Sequence, residues 1–310
     1  MKEEIKWCEE NKIICMAYNQ NEQDRAVLKR KGEVSYLEFP ALSRLSFLTH
    51  GFSTREGGVS EGYLGTMNLS YSRGDDPLNV DENFRRICEV LGINTKDLVL
   101  SDQVHDTLVE RVGKKDCQGE SLRDRKLTGI DGLITNETKV VLCTSYADCV
   151  PLYFVDKVHK AIGHSHSGWK GTVGKIGAVT VRRMKEEFET NPEDLVAVIG
   201  PSICQSCYEV SQDVADAFLD FVNIETIAKV QNMDKNKIKT LISAVCVPTG
   251  EGKYHLDLWL ANKLILMEAG IPEGNISISC VCTCCNSQLL YSHRASKGKR
   301  GNLAGFLSIN

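Results

Sequence analysis

Three separated positions carry side chains that bind transition metals, and each lies at the end of a strand-like segment. His105 follows one such segment, Cys149 follows the apolar residues 140–146, and His164 and His166 end a third. Zinc favours imidazole and thiolate ligands, and a catalytic zinc site commonly has three protein ligands and a fourth position for water. These residues predict a metal site with His105, Cys149 and either His166 or His164 as ligands.

The spacing of these residues also allows other interpretations. The chain has seven histidines and 13 cysteines among 310 residues, so two histidines and a cysteine near turns arise easily by chance. They could be hydrogen-bonded polar residues at strand ends, and the two neighbouring histidines point together only if the strand continues through both. Cys149 beside a histidine also suits a nucleophilic thiol whose pKa a base lowers. Metal content would distinguish these alternatives.

A second group of cysteines suggests a structural zinc site. One C-x-x-C pair and a later cysteine-rich patch are the usual components of a four-cysteine site. Against this hypothesis, the later patch reads CTCC rather than a plain pair, and Pro201 and Tyr208 suit a turn beside a cleft. The cysteines concerned are Cys204, Cys207, Cys282, Cys284 and Cys285.

Basic residues next to glycines predict an anion site. The segment Gly168-Trp169-Lys170-Gly171 precedes a helical pattern, which brings backbone N–H groups, the helix dipole and the Lys170 ammonium together. Each of these cations could equally be an exposed loop residue, and the segment lacks the GxxxxGK[ST] pattern of nucleotide triphosphate sites. Further positive charge comes from Arg55, Arg73 and the basic run His293, Arg294, Lys297, Lys299 and Arg300.

The composition limits the possible classes of protein. Hydrophobic residues make up 42% and charged residues 25%, with a net charge of −4, which argues against a nucleic-acid surface as the main function. No apolar run approaches the roughly 18 residues of a membrane helix, and the charged N-terminus lacks the apolar core of a signal peptide. An odd cysteine count in a large chain favours free thiols or metal ligands. We expect a cytoplasmic protein without nucleic-acid or membrane partners.

The secondary-structure pattern must bring these residues together. Strand-like runs slightly outnumber helices and mix hairpins with crossovers, which predicts an α+β or mixed α/β fold in a single domain. We expect residues 1–45 to be a strand-rich segment of that domain, and residues 46–310, which hold the candidate metal ligands, to be its metal-dependent catalytic part. Asn79 is the predicted cap of a helix over residues 80–91. Residues 152–164 form a hairpin that leads to the two histidines.

Nine ordered motifs, covering residues 47–306, resemble the YfiH-like family. Its members carry laccase-domain or polyphenol oxidase labels and are regarded as purine nucleoside phosphorylases. The motifs are GFSTREGGVSEGYLGTMNLS, GDDPLNVDENFRR, SDQVH, GIDGLIT, ADCVP, HSGWKGTVGKI, GPSICQSCYEV, LDLWLANKLIL and SHR.

The resemblance implies a fold, a metal site and an activity. The fold is a compact layered β-sandwich with helices outside, as in toxin deamidase domains of the CNF type. The ligands come from the QVH, ADC and H-x-GW motifs, here His105, Cys149 and His166, with zinc as the metal and copper possible in the same site. The implied reaction is phosphate-dependent cleavage of adenosine, inosine and methylthioadenosine to the free base and (methylthio)ribose 1-phosphate. Adenosine deamination at the same metal is also implied.

Further residues take expected roles from this resemblance. Asp148, beside Cys149, is either a proton shuttle or a residue that orients the histidine ligands. Tyr208 is expected to stack on or hydrogen-bond the base. The expected substrate-binding residues are Arg55, Asn68, Lys170, Tyr208 and Arg294, of which the three cations bind phosphate.

The sequence departs from the family pattern near its basic residues. Lys170 replaces the commoner arginine and loses the guanidinium fork. Ala295 stands where many members have a second arginine. Arg300-Gly301-Asn302 stands where they have a T-G-R motif, so Asn302 takes the place of its arginine. If those arginines bind phosphate, Lys297, Lys299 or Arg300 must substitute.

Two rival functions remain open from the sequence. Two histidines and a cysteine suit a copper centre, but a copper-dependent phenol oxidase also needs several His-x-His pairs, and this chain has one. A non-enzymatic, zinc-stabilised binding protein would need a closed four-ligand site. The enzyme is expected to be a monomer or homodimer.

Overall fold

Two large β-sheets form the centre of the molecule in the computed structural model, which describes residues 6–8, 13–15 and 25–310. A short separate pair consists of β1 (Lys6–Cys8) and β2 (Ile13–Cys15). The first large sheet has seven strands in the order β3 (Val27–Lys31), β4 (Val34–Glu38), β5 (Leu48–Ser53), β18 (Leu303–Ile309), β10 (Val141–Tyr146), β6 (Leu98–Asp102) and β8 (Leu127–Thr128).

The second large sheet has six strands and contains the predicted hairpin. Its order is β17 (Ile276–Ile278), β13 (Leu195–Ile199), β11 (Val150–Asp156), β12 (Ala161–Ser167), β9 (Gly132–Thr135) and β7 (Val109–Arg111). A smaller sheet has the order β14 (Glu209–Ser211), β16 (Lys253–Leu256) and β15 (Cys246–Gly250). The hairpin prediction is confirmed, because β11 and β12 pair antiparallel.

Nine α-helices occur among the described residues, and none of them combines the length and apolar character that a membrane crossing requires. They are α1 (Pro40–Ser43), α2 (Pro77–Leu91), α3 (Trp169–Val173), α4 (Ile176–Phe188), α5 (Gln212–Asp216), α6 (Ile224–Gln231), α7 (Lys235–Val245), α8 (Leu258–Glu268) and α9 (His293–Ser296).

The central strand β11 shows why the fold is layered. Its side chains alternate between two faces, and both faces are buried. Tyr153 and Val155 lie in the core between the two large sheets. Leu152 and Phe154 lie in a second core that includes α4 and α8. Burial of each such apolar side chain contributes about 1.5–3 kcal/mol to the free energy of folding. The hairpin that carries His166 is therefore packed firmly on both faces.

Helix α2 covers the outer face of the seven-stranded sheet through residues such as Phe84 and Ile87. The predicted start at Asn79 is wrong: Asp76 is the cap, and its carboxylate accepts a hydrogen bond from the Leu78 amide at 2.9 Å. Pro77 occupies the first helical position, where its fixed φ suits the helix and no N–H is needed. These two signals together outweigh the later capping pattern.

The architecture is therefore a mixed α+β fold of one compact domain with a central β-sandwich, and this prediction is confirmed. Strands β3 and β4 belong to the same sheet as β5 and β18. Residues 25–45 of the predicted N-terminal segment are thus continuous with the rest of the domain. Residues 1–5, 9–12 and 16–24 of the predicted strand-rich segment lie outside the described residues.

Candidate active site

Strand β12 continues through both histidines and sends them to the same face, but they lie in different surroundings. His164 is buried between the sheets, where its ring stacks on Tyr153 at 4.2 Å and contacts the Thr144 hydroxyl. Burial lowers the pKa of His164 to about 3. His166 lies at the end of the strand, and only this histidine reaches the group formed with His105 and Cys149.

His105 and Cys149 approach His166 from two neighbouring loops. His105 lies between β6 and β7, and Cys149 directly precedes β11. His105 and Asp148 have φ angles of +66° and +87°, in a region that residues other than glycine rarely adopt. Such conformations persist where the surrounding contacts fix them, and they concentrate at functional sites.

Asp131 connects two of these residues. One carboxylate oxygen accepts a hydrogen bond from Nδ1 of His166 at 2.8 Å. The same carboxylate accepts the backbone N–H groups of Val104, His105 and Asp106 at 3.0–3.1 Å. Burial raises the pKa of Asp131, but the hydrogen bonds from His166 and these amides lower it overall. Asp131 thus shapes the His105 loop and leaves Nε2 of His166 free to bind a metal.

Gly168 allows the loops to come together. A Cβ atom at this position would lie 3.0 Å from Cδ2 of His105 and 3.1 Å from Sγ of Cys149. Contacts this short are tighter than usual for a Cβ atom, so at least one of the two side chains would have to move by a few tenths of an ångström. The first glycine of the predicted anion segment therefore suits the close approach of these side chains.

The three side chains fit a zinc ion in chemistry and in spacing. Nε2 of His105 lies 3.9 Å from Sγ of Cys149, and the ligand atoms of all three residues lie within 4.8 Å of one another. Zinc–nitrogen and zinc–sulfur bonds of about 2.0 and 2.3 Å place tetrahedral ligands about 3.6 Å apart. A small inward movement would thus complete the site. The carboxylate–histidine arrangement of Asp131 and His166 is also typical of metal sites.

The charges in this group favour a thiolate. Burial raises the pKa of the Cys149 thiol, but the charge of His166 and the hydrogen bond from His105 outweigh burial and lower the pKa to about 6. Burial lowers the pKa of His166, but Cys149 and Asp131 outweigh it and raise the pKa to about 9. A deprotonated thiolate is the form that binds a metal or acts as a nucleophile.

The side chains of His105, Cys149 and His166, which we call the metal group, lie on the wall of a cavity of about 720 Å³. This volume is in the range of pockets that enclose small organic ligands. Six of the lining residues belong to the sequence predictions for metal, substrate or proton transfer: His105, Asp148, Cys149, His166, Tyr208 and Arg294.

Positive charge lines the cavity together with the metal group. Arg300 is buried, and its Nε atom has no hydrogen-bond partner; the same is true of one terminal nitrogen of Arg125. Burial and the neighbouring Arg73 lower the pKa of Arg300 to about 10, which still leaves it charged at neutral pH. Asn302 accepts hydrogen bonds from both Arg73 and Arg300. Arg73, Arg125 and Arg300 thus give this part of the cavity wall the positive charge that suits an anion.

Arg55 does not reach this cavity. Its guanidinium donates to the carbonyl groups of Gly65 at 2.9 Å and Ser287 at 3.0 Å, and it lies over the Tyr291 ring at 4.8 Å. These contacts join two loops of the chain. The predicted role of Arg55 in substrate binding therefore has no support from this cavity and stays a prediction.

Asn68 and Lys170 also lie away from the cavity lining. Asn68 is fully buried, and its amide donates to Ser70 and to the Asp75 carboxylate at 3.0 and 2.8 Å. Lys170 is exposed on α3, with its ammonium 5.7 Å from the Trp169 ring. Asn68 thus supports a loop and Lys170 faces solvent, so this cavity does not bring them together with the other predicted residues, and their substrate roles stay predictions.

Asp148 and Arg294 form a joined part of the cavity wall. One oxygen of Asp148 accepts from the Thr283 hydroxyl at 2.6 Å, and the other accepts from the Arg294 amide at 2.7 Å. The Arg294 guanidinium lies 5.4 Å from the Tyr208 ring centre and donates to the Glu209 carbonyl. Asp148 does not contact the histidine ligands, so the orienting role considered for it belongs to Asp131.

Sequence reasoning missed Asp131, Arg123, Arg125 and Gln103. The GIDG segment around Asp131 was visible, and an acidic residue among buried apolar neighbours was a usable signal. Arg123 and Arg125 lie in a charged segment that is typical of an exposed loop. Gln103 exchanges two hydrogen bonds with the Ser145 backbone and so fixes the start of the His105 loop.

Comparison with known proteins shows the family of the chain. Residues 49–310 match the family model described as multi-copper polyphenol oxidoreductase laccase. The purine nucleoside phosphorylase YlmD of Bacillus subtilis is 36% identical over 261 residues, 84% of this chain and 87% of that protein. A protein from an unknown prokaryotic organism, named adenosine deaminase RL5, is 34% identical over 249 residues, 78% of this chain and 87% of that protein.

Solved structures give the same result. The crystal structure of YlmD from Geobacillus stearothermophilus superimposes with a TM-score of 0.81 and 30% identity, covering 92% of this chain and 99% of that one. Both the sequence match and the structural match extend over most of the chain. The chain therefore belongs to the YfiH and YlmD family, whose model carries the polyphenol oxidoreductase laccase description.

Proposed function

We propose that this chain is a zinc-dependent purine nucleoside phosphorylase that also deaminates adenosine. One observation carries the proposal: the same cavity is lined by the His105, Cys149 and His166 group and by a set of arginines that includes Arg73, Arg125 and Arg300. Relatives named as purine nucleoside phosphorylases support the first activity, and the relative named adenosine deaminase supports the second.

The phosphate part of the cavity is assigned to arginines. Arg73 and Arg300 share Asn302 as a hydrogen-bond acceptor, which holds two guanidinium groups side by side. Guanidinium forks match phosphate oxygens and bind them more strongly than neutral donors do. Among the three cations that could substitute for the missing family arginines, Arg300 is thus the one that lines the cavity. Lys297 and Lys299 are exposed and do not line it.

In phosphorolysis, a phosphate oxygen attacks C1′ of the ribose. The C1′–N9 bond breaks, its electron pair leaves with the purine, and the purine takes up a proton. The arginines hold the phosphate and stabilise its charge as the bond changes form. The Tyr208 ring offers a flat surface for the base, and Arg294 covers that ring and fixes its orientation.

In deamination, water adds to C6 of adenine and ammonia leaves, which yields inosine from adenosine. A zinc ion at His105, Cys149 and His166 would supply a water whose pKa is lowered toward neutrality. We assign the proton transfer to Asp148, which lies next to Cys149 on the cavity wall. Its hydrogen bonds with Thr283 and the Arg294 amide hold the carboxylate in place.

The copper-dependent phenol oxidase has less support. A multicopper enzyme needs several further histidines in one cluster. Of the five remaining histidines, only His293 lines the cavity. His50 bonds the Phe39 amide, His159 pairs with Asp156, His164 lies between the sheets and His255 lies on β16. The non-enzymatic hypothesis is also weaker, because three ligands beside a large cavity leave a position for water or substrate.

The test is incubation of purified protein with adenosine, with and without phosphate, followed by measurement of adenine, ribose 1-phosphate and inosine. We expect adenine and ribose 1-phosphate only when phosphate is present, and inosine in both samples. Inosine and methylthioadenosine are tested as further substrates in the same way. Absence of phosphate-dependent adenine release would reject the phosphorylase, and absence of inosine would reject the deaminase. Oxidation of a phenol by the copper-loaded protein would favour the rival enzyme.

A further inference from the structure

Four cysteine thiols converge at a second place, apart from the group of His105, Cys149 and His166. Two of them lie at the short turn Gln205–Cys207, and two lie in the segment that follows β17. Their sulfur atoms all lie within 4.8 Å of one another. This cluster, which we call the four-cysteine cluster, consists of Cys204, Cys207, Cys282 and Cys285.

The spacing of these sulfurs fits a metal ion better than disulfides. Sγ of Cys285 lies 3.5 Å from Sγ of Cys207 and 4.0 Å from Sγ of Cys204. Tetrahedral zinc with Zn–S bonds of about 2.3 Å places its sulfur ligands about 3.8 Å apart. A disulfide needs about 2.05 Å. All four residues are free thiols, arranged around one point rather than as two bonded pairs.

Backbone hydrogen bonds prepare Cys282 for a negative charge. Its sulfur accepts the N–H groups of Cys204 and Cys285, both at 3.3 Å. Cys204 and Cys282 are buried, with exposed fractions of 2% and 0%. A buried thiolate needs a compensating positive charge. The nearby Arg294 guanidinium is already engaged, because it donates to the carbonyl group of Cys207. A metal ion between the four sulfur atoms would supply the positive charge that the thiolate needs.

The sequence of the second patch agrees with this arrangement. Cys282 and Cys285 are separated by two residues, so CTCC contains a C-x-x-C pair with Cys284 inside it. Cys284 is outside the four-cysteine cluster. The objection that CTCC is not a plain pair therefore loses its force. Two C-x-x-C pairs that converge in space are typical of structural zinc sites.

We propose that the four-cysteine cluster binds one structural zinc ion, separate from the metal of the active site. The ion would join the turn before β14 to the segment after β17. The first segment contributes Tyr208 to the cavity wall directly after Cys207, and Thr283 of the second segment donates to Asp148, which also lines the cavity. The inference does not depend on the proposed reaction, because it concerns a different set of ligands.

The experiment measures zinc per chain in full-length protein purified with a thiol reductant from zinc-supplemented cells. We expect two zinc ions in the wild type, and loss of one in both Cys282→Ser and Cys207→Ser. Cys284→Ser, in the same segment, is the matched control and should keep both ions. Cys149→Ala should lose the other ion. If the active-site metal is absent, the wild type holds one ion, which Cys149→Ala keeps and Cys207→Ser loses.

Cobalt(II) gives a second readout that does not require the buried Cys282→Ser variant to fold. We expect cobalt-loaded Cys149→Ala protein to show thiolate-to-cobalt charge transfer and strong tetrahedral bands, and both should disappear when Cys207→Ser is added. Zinc content that neither Cys282→Ser nor Cys207→Ser changes would overturn the proposal. Disulfides among the four cysteines in the reduced, freshly purified protein would overturn it as well.

Discussion

The carboxylate of Asp131 accepts a hydrogen bond from Nδ1 of His166 at 2.8 Å and also accepts the backbone N–H of His105 at 3.1 Å. One buried side chain thus orients one imidazole and fixes the loop that carries the other. The two histidines come from segments 61 positions apart in the sequence, and Asp131 lies on neither of them. The geometry of the metal group therefore depends on a residue that is not itself a ligand.

Asp131→Asn should weaken metal binding without removing a ligand. The amide keeps the size of the side chain but loses the charge that favours the hydrogen bond from His166. Changes of this kind typically lower metal affinity by about 10–100-fold. Zinc affinity is measured by competition with a chelator. Asp106→Asn, an exposed neighbour in the same loop, is the control, and an equal loss of affinity in both variants would contradict the assignment.

Gly168→Ala should damage the metal group more than it damages the fold. The added methyl group would meet the His105 ring and the Cys149 sulfur at 3.0 and 3.1 Å, so one of the two ligands must move. We expect zinc at this site to fall well below one per chain while the thermal midpoint changes little. Gly274→Ala is the matched control, because no atom lies within 4 Å of its added Cβ. Full zinc occupancy in Gly168→Ala would refute this reasoning.

Cys149 should react with iodoacetamide at unusually low pH once metal has been removed. His166 and His105 lower the pKa of this thiol to about 6, against an ordinary value of 9.0, so its thiolate predominates at neutral pH. Alkylation followed by mass spectrometry should show a midpoint near pH 6 for Cys149, and zinc should protect it.

Cys246 serves as the internal reference for this experiment. Burial raises the pKa of Cys246, so its alkylation should become fast only in alkaline solution. His166→Gln should move the Cys149 midpoint upward, because the positive charge beside the thiolate is lost. A Cys149 midpoint as alkaline as that of Cys246 would show that the charges in the metal group have been misassigned.

Local patterns were sufficient for the framework of the site. Two strand-like apolar runs predicted the hairpin of β11 and β12. The strand repeat of two residues also predicted that His164 and His166 share a face if the strand continues through both. Periodicity could not say that one of them is enclosed by Tyr153 and Thr144, since those residues lie on other strands. The choice of His166 required the family resemblance, and its position beside Cys149 required the fold.

Substrate contacts were harder to predict for a physical reason. The charge of an arginine is visible in the sequence, but the direction of its side chain depends on which acceptors the fold places nearby. Arg55 bonds the carbonyl groups of Gly65 and Ser287, the second of which is 232 positions away. Arg125 lies in a segment with the composition of an exposed loop, yet one of its nitrogens is buried at the cavity.

Arg300→Met should weaken phosphate binding in particular. Arg300 lines the cavity and shares the acceptor Asn302 with Arg73, so its guanidinium lies in the positively charged part of the wall. Hydrogen bonds to charged groups contribute about 1.5–3 kcal/mol, so KM for phosphate should rise by about 10–150-fold. Initial rates of adenine release at varied phosphate give this value.

Deamination in the absence of phosphate separates this role from a structural one. Arg300→Met should leave kcat/KM for inosine formation within about 3-fold of the wild type, because phosphate takes no part in deamination. A 3-fold change corresponds to about 0.7 kcal/mol in the activation free energy. Arg300→Lys should restore part of the phosphate affinity, since it returns the charge without the planar fork. Lys297→Met removes an exposed cation of the same basic run and should change neither reaction. If Arg300→Met slows deamination and phosphorolysis equally, Arg300 supports the fold of the cavity and the phosphate must bind elsewhere.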